Sequence, residues 1–193
     1  MAHRLARWVS ILFDSSVLSL PILLTFGWIS ANAAGLAWAA VVWLIVTGIP
    51  LAYLTLGKRR GWVSDFEMTQ RGERPRFIAV SLSSDALALL ALNAFGGPHL
   101  LRVMVLTYLC LGAIMFTISS FWKISLHLVG VGGFSTALVF VFGAPALLAF
   151  LSLPLVAWAR WQRRKHTIAQ LIAGALAGAL ITALVFGWLG QWL

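Results

Sequence analysis

Long apolar runs alternate with short polar gaps along this chain, and the length of the runs carries the first inference. Segments near 8–30, 34–57, 77–96, 101–122, 126–142, 145–160 and 167–190 contain almost no charged residues. About 20 apolar residues suffice to cross the hydrocarbon core of a bilayer as a helix. The pattern therefore predicts an all-α integral membrane bundle of six to seven transmembrane helices. The fifth and sixth runs are short, and Gly143-Ala144-Pro145 is the break between them. Counting both gives seven spans, and six if one is re-entrant. No internal repeat is evident and no linker is long enough for a second domain, so residues 1–193 read as a single transmembrane domain.

Composition points the same way. The 193 residues are 61% hydrophobic and only 10% charged, where a soluble domain carries roughly a quarter. The lone Cys110 lies in an apolar run, which excludes a disulfide framework or a cysteine metal site. The four histidines, at 3, 99, 127 and 166, lack the paired spacing of zinc ligands. No metal and no other cofactor is expected. Arg4 and Arg7 before an apolar run, with Ala31-Asn32-Ala33 beyond it, have the pattern of a signal peptide. With no soluble domain following, we read that run as the first membrane helix.

The net charge of +9 would suit nucleic acid, but the cations occupy short gaps between apolar runs rather than a basic domain. They report topology instead. With seven spans, Arg4, Arg7, Lys58, Arg59, Arg60, Arg71, Arg74, Arg76, Lys123, Arg160, Arg163, Arg164 and Lys165 share one side. Only Arg102 of the 14 Lys and Arg residues lies opposite. The positive-inside rule makes the rich side cytoplasmic. Trp8, Trp62, Trp122, Trp158 and Trp161 fall at that end of the spans, and Trp28, Trp188 and Trp192 at the other. This is the double aromatic belt expected of a bundle that meets two headgroup layers.

Three polar clusters interrupt the apolar background on the cation-rich side. The first runs Ser64-Asp65-Phe66-Glu67 to Arg71-Gly72-Glu73-Arg74-Pro75-Arg76. The second is Lys123-Ile124-Ser125-Leu126-His127, followed by Gly130, Gly132 and Gly133. The third spans Arg160 to Gln170 and contains His166. A titratable imidazole among cations at a membrane edge suits chemistry on an anionic group carried by a lipid.

These residues resemble the type 2 phosphatidic acid phosphatases, whose pattern is Lys-x6-Arg-Pro, then Ser-Gly-His, then Arg-x5-His-x3-Asp. Here Arg160, His166 and Gln170 keep the third spacing, Ser125-Leu126-His127 stands for the second, and Arg74-Pro75 closes the first. The resemblance covers about residues 58–180 as a catalytic core. It is nearest to small bacterial and archaeal members whose first motif is an Asp followed by an Arg-x-x-Arg pair, matched by Asp65, Arg71 and Arg74. It departs from the family at two points. Glu67 occupies the place of the family lysine, and Gln170 that of the aspartate.

The resemblance implies a phosphatase of lipid phosphates or polyprenyl (di)phosphates in a bacterial or archaeal cell membrane. His166 would attack phosphorus and form a phosphohistidine, and His127 would protonate the leaving oxygen. Arg74 and Arg160 would bind the phosphate, Ser125 would add a hydrogen bond, and Lys123 or Arg71 would replace the missing lysine charge. Gln170 would orient the nucleophile by accepting a ring hydrogen bond, without the negative charge of a carboxylate. The expected partners are a lipid phosphate substrate and membrane lipids, not nucleic acid, with a homo-oligomer or a larger membrane complex also open.

Two other readings compete. The replacements at Glu67 and Gln170 suit a catalytically silent membrane subunit that keeps a lipid- or pigment-binding scaffold in a larger complex. The short helices around Pro145 would suit a transporter that grips an anionic headgroup. Outside the three clusters, Asp14 and Asp85 lie within apolar runs and are expected to hydrogen-bond neighbouring helices. Gly174-x3-Gly178 permits close helix contact.

Overall fold

The computed structural model describes residues 1–192, and the Trp192 side chain lies outside the described set. Every regular element among the described residues is a helix: α1 Ala2–Leu12, α2 Ser15–Trp43, α3 Ile49–Arg59, α4 Arg74–Ala94, α5 His99–Phe121, α6 Leu126–Phe142, α7 Ser152–Gln162 and α8 Ile168–Gly187. Tighter or wider turns extend several of them, among them a 3-10 stretch at Ala144–Leu151 that leads into α7. Among the described residues, five continuous stretches are long and apolar enough to cross a membrane: Ser15–Arg59, Arg71–Ala94, His99–Phe121, Ala144–Gln162 and Ile168–Gln191. Leu126–Phe142 is apolar but shorter.

Two of the expected runs change shape. The first run, near 8–30, is not one helix. It breaks after Leu12, and Asp14 caps the start of α2 by accepting the Ser16 N–H at 2.9 Å. A carboxylate suits that place because the first N–H groups of a helix have no intrahelical partner. The 45-residue stretch Ser15–Arg59 is interrupted at Ala31 and Asn32, where the backbone leaves helical geometry. Asn32 takes a positive φ of 50°, which its short polar side chain tolerates better than most. The arms double back. Gly27 and Gly35 face each other with backbones in contact, and Ser19 Oγ meets Thr47 Oγ1 at 3.2 Å. Further on, the expected break falls at Gly143, whose φ of 71° suits a residue without Cβ.

The chain forms two compact units. One comprises Met1–Leu18 with Lys123–Trp192, the other Ser19–Trp122. In the first, α6 packs along α8 and α1 along α7. The seam between α6 and α8 is made of small residues. Gly174 lies against the Ser125 carbonyl, Gly178 against that of Val129, and Gly132 against that of Ala175. A Cβ at these glycines would meet main-chain oxygen, so the absence of a side chain sets the helix separation.

α8 shows why the molecule suits lipid. Leu171, Gly174, Gly178, Thr182 and Val185 are buried toward α6, while Ile172, Leu176, Leu180 and Leu184 stand more than half exposed at four-residue steps. Both faces are apolar, but the bulky one points outward. In water such a stripe would be a liability. In hydrocarbon it is the expected surface. Trp8, Trp28, Trp62, Trp122, Trp161 and Trp188 are exposed in the same way, whereas Trp158 packs against the core around Val156 and Leu171.

In the second unit, α4 packs along α5 and α3. Asp85 is buried in α4 and approaches Gly112 of α5.

Candidate functional site

The second and third polar clusters both belong to the first unit, and the start of α6 is joined to the start of α8. The Ser125 N–H donates to the Gln170 carbonyl at 3.3 Å. His127 lies two residues beyond one end of this link, and His166 precedes the other by one helical turn.

At α8, Thr167 and Gln170 form a capping box. The Gln170 N–H donates to Thr167 Oγ1 at 3.4 Å, and the Thr167 N–H donates to Gln170 Oε1 at 3.1 Å. Each side chain satisfies a backbone donor of the first turn. The same Gln170 Oε1 lies 3.3 Å from His166 Nδ1. The Thr167 N–H requires an oxygen there, so the orientation of the amide is set by its neighbours. His166 Nδ1 must then carry the proton, and in the neutral ring Nε2 keeps its lone pair. His166 itself is 8% exposed.

His127 is held the other way round. Its Nε2 lies 3.2 Å from the Ser10 carbonyl of α1 and 3.3 Å from Asp14 Oδ2. A carbonyl oxygen only accepts, so Nε2 carries a proton in either charge state of the ring. Asp14 thus serves two partners, with Oδ1 on the Ser16 N–H and Oδ2 on the imidazole. Its expected hydrogen bond to a neighbouring helix is present. It leaves from a helix junction rather than from inside a span.

Ser125 occupies the N-cap of α6 but makes no capping hydrogen bond. Its hydroxyl is buried and has no hydrogen-bond partner among the described residues. Serine at this place normally accepts an N–H of the first turn, so a buried, unused hydroxyl is unusual. Arg160 is 2% exposed near the end of α7, and its carbonyl accepts the Lys165 N–H at 3.1 Å. Lys123 is half-buried in the short connection before α6.

An open depression of about 660 Å³ lies at the α7–α8 turn, walled by Trp161, Arg164, Lys165, His166, Thr167 and Gln170 among others. Neither His127 nor Arg160 is among its walls. Beside it runs an apolar groove of about 370 Å³ between α6, α7 and α8, which shares Trp161 and Ile168 with the depression. Two cations and an imidazole thus line the depression, and Leu128, Ala157, Leu171 and Ala175 line the groove beside it.

The first polar cluster belongs to the second unit, where its charges serve the loop itself. Asp65 accepts the Glu67 and Thr69 N–H groups, and Glu73 accepts the N–H and hydroxyl of Ser64. Arg74, 3% exposed, donates from Nε to the Met68 carbonyl at 3.1 Å, and Arg71 donates from Nη1 to the Phe121 carbonyl at 2.9 Å. Acids on amides and Arg74 on a carbonyl hold the turn, and Arg71 ties it to the end of α5.

Sequence reasoning missed the Asp14–His127 pair, because its partners are far apart in the chain. It also passed over the capping box, which Thr167-x-x-Gln170 spells out. Comparison with protein-family models, curated proteins and solved structures finds no match.

Proposed function

We propose that the chain is a membrane-embedded phosphatase that removes phosphate from a lipid or polyprenyl phosphate through a phosphohistidine on His166. The carrying observation is the His166–Gln170 hydrogen bond. It commits Nδ1 to a neutral acceptor and turns Nε2 into the nucleophilic nitrogen. An imidazole nucleophile is neutral near physiological pH, so attack on phosphorus needs no metal.

The surroundings support an amphipathic substrate. Arg164 and Lys165 offer positive charge for an anionic headgroup, and the adjoining groove offers an apolar bed for one chain. Arg160 supplies a guanidinium that can answer the equatorial oxygens of the transferring phosphoryl group. Ser125 has a hydroxyl to give, and Lys123 a further charge. Arg71 and Arg74 belong to the other unit, where they donate to backbone carbonyls.

In the same reading the arms of the Ser15–Arg59 stretch, on either side of the reversal at Ala31 and Asn32, are separate crossings. With α4, α5, α6, the Ala144–Gln162 stretch and α8, they make seven. The cation-rich loops, and the site with them, then face the cytoplasm.

The test is phosphate release from phosphatidic acid or a polyprenyl phosphate in detergent micelles. We expect His166→Ala to reduce release by about a thousandfold or more. Equal rates in wild type and variant would overturn the proposal.

A second reading is a catalytically silent subunit of a larger membrane complex. It is favoured by the engagement of Arg71 and Arg74 with backbone carbonyls. Stoichiometric partners in the purified protein, without phosphate release, would select it.

A further inference from the structure

We infer that Asp14, outside every motif of the resemblance, is the positioning carboxylate for His127 as general acid. The inference rests on the phosphatase reading and deepens it.

The resemblance puts an aspartate beside the nucleophilic histidine, where this chain has Gln170. A carboxylate is nevertheless present in the unit, on the other imidazole. Asp14 Oδ2 lies 3.3 Å from His127 Nε2, and the histidine side chain is only 12% exposed. The Ser10 carbonyl at 3.2 Å aims the same N–H. Three features make this a built arrangement. The carboxylate is anchored by its other oxygen on the Ser16 N–H. Ser10 is buried, its own hydroxyl bonded to the Ala6 carbonyl at 2.9 Å. The ring is carried by the first turn of α6, whose start is tied to Gln170.

The chemistry depends on which nitrogen is held. Nε2–H stays on Asp14 and the Ser10 carbonyl throughout, so the proton that moves is the one on Nδ1. The His166 Nε2 lone pair forms the P–N bond while the P–O bond to the leaving alcohol breaks. The bond pair goes to that oxygen, which takes the Nδ1 proton of His127. His127 is left neutral, with Nε2–H still on Asp14. Water then attacks the phosphohistidine, its proton passes to Nδ1, and phosphate leaves with His166 restored. Asp14 takes up no proton in these steps. Its negative charge favours the cationic ring that begins each turnover.

The test compares two phosphate monoesters in the same micelles. One is a long-chain alkyl phosphate, whose alkoxide leaving group needs a proton. The other is an alkyl-substituted nitrophenyl phosphate, whose nitrophenolate leaves without one. Asp14→Asn keeps an oxygen for the Ser16 N–H, because Asn caps helices as well as Asp, and removes only the charge. We expect it to lower kcat on the alkyl ester by roughly tenfold or more, with KM little changed. On the nitrophenyl ester the first-turnover burst of nitrophenolate, which reports P–O cleavage alone, should slow by less than about threefold, and His127→Ala should show the same contrast in that step more strongly. Asp14→Glu should recover part of the alkyl-ester rate. Equal losses on both esters, or no loss on either, would overturn the role of Asp14 while leaving a phosphatase. A wild-type protein inactive on both esters would overturn the phosphatase reading and this inference with it.

Discussion

His166 and His127 sit at the starts of neighbouring helices, and each has one ring nitrogen tied down. They differ in which nitrogen and in what holds it. His166 gives Nδ1–H to a neutral amide oxygen that also caps α8. His127 gives Nε2–H to a backbone carbonyl and a carboxylate. A neutral partner leaves an imidazole free to act as a base or nucleophile, whereas a carboxylate stabilises the charged ring. In the proposed phosphatase these environments would divide the labour of phosphoryl transfer, one nitrogen to attack and one to donate. The Ser125–Gln170 link keeps that division on a common frame.

The seam between α6 and α8 is where the comparison breaks most easily. Gly178→Val would push a branched side chain into the Val129 carbonyl. We expect a loss of about 1–3 kcal/mol, seen as a lower thermal midpoint in detergent, and a matching fall in phosphate release. Gly72→Ala, which meets open space, should leave the midpoint unchanged. An unchanged midpoint in Gly178→Val would contradict the close approach.

Ser125 provides a sharper and smaller effect. Its buried hydroxyl has no partner to lose among the described residues, so Ser125→Ala should change stability by less than about 1 kcal/mol. A hydrogen bond from this hydroxyl to phosphate is of the charge-assisted kind, and its removal should slow release by about tenfold. A stability loss without a rate loss would make Ser125 structural.

Gln170→Glu should have the least effect, because Glu offers the same acceptor to His166 and Thr167. It adds a negative charge at the N-terminus of α8, where about 0.3–1 kcal/mol of stabilisation is expected. We expect release to slow by only a few-fold, because the box keeps its shape while the carboxylate favours the charged ring that cannot attack. Collapse of activity would show that the neutrality of the amide, and not its geometry, matters at His166.

Much of the fold is legible in the hydropathy runs, because in lipid the length of an apolar segment is itself the structural signal. The turns at Gly143 and around Ala31-Asn32-Ala33 show through for the same reason, as small or polar residues between long runs. The junction at Asp14 does not, because a single carboxylate in an apolar window lowers the average too little to mark a helix end. At the site, Gln170 as ring acceptor can be read from helical spacing alone. The pairing of His127 with Asp14 has no local signature, since it depends on α1 packing along α7 near the start of α6. Arg71 and Arg74 read as phosphate ligands by type, yet a guanidinium also donates to backbone carbonyls, and only the folded arrangement shows those bonds.

The central claim is that His166 becomes covalently phosphorylated, and trapping that species tests it most directly. Wild-type protein turned over on a radiolabelled lipid phosphate and quenched in alkaline denaturant should carry base-stable, acid-labile phosphate on the peptide containing His166. The label should be absent from His166→Ala and should build up when water attack is slowed in His127→Ala supplied with the nitrophenyl ester. Phosphate release without a protein-bound label, or a label that survives in His166→Ala, would contradict the account.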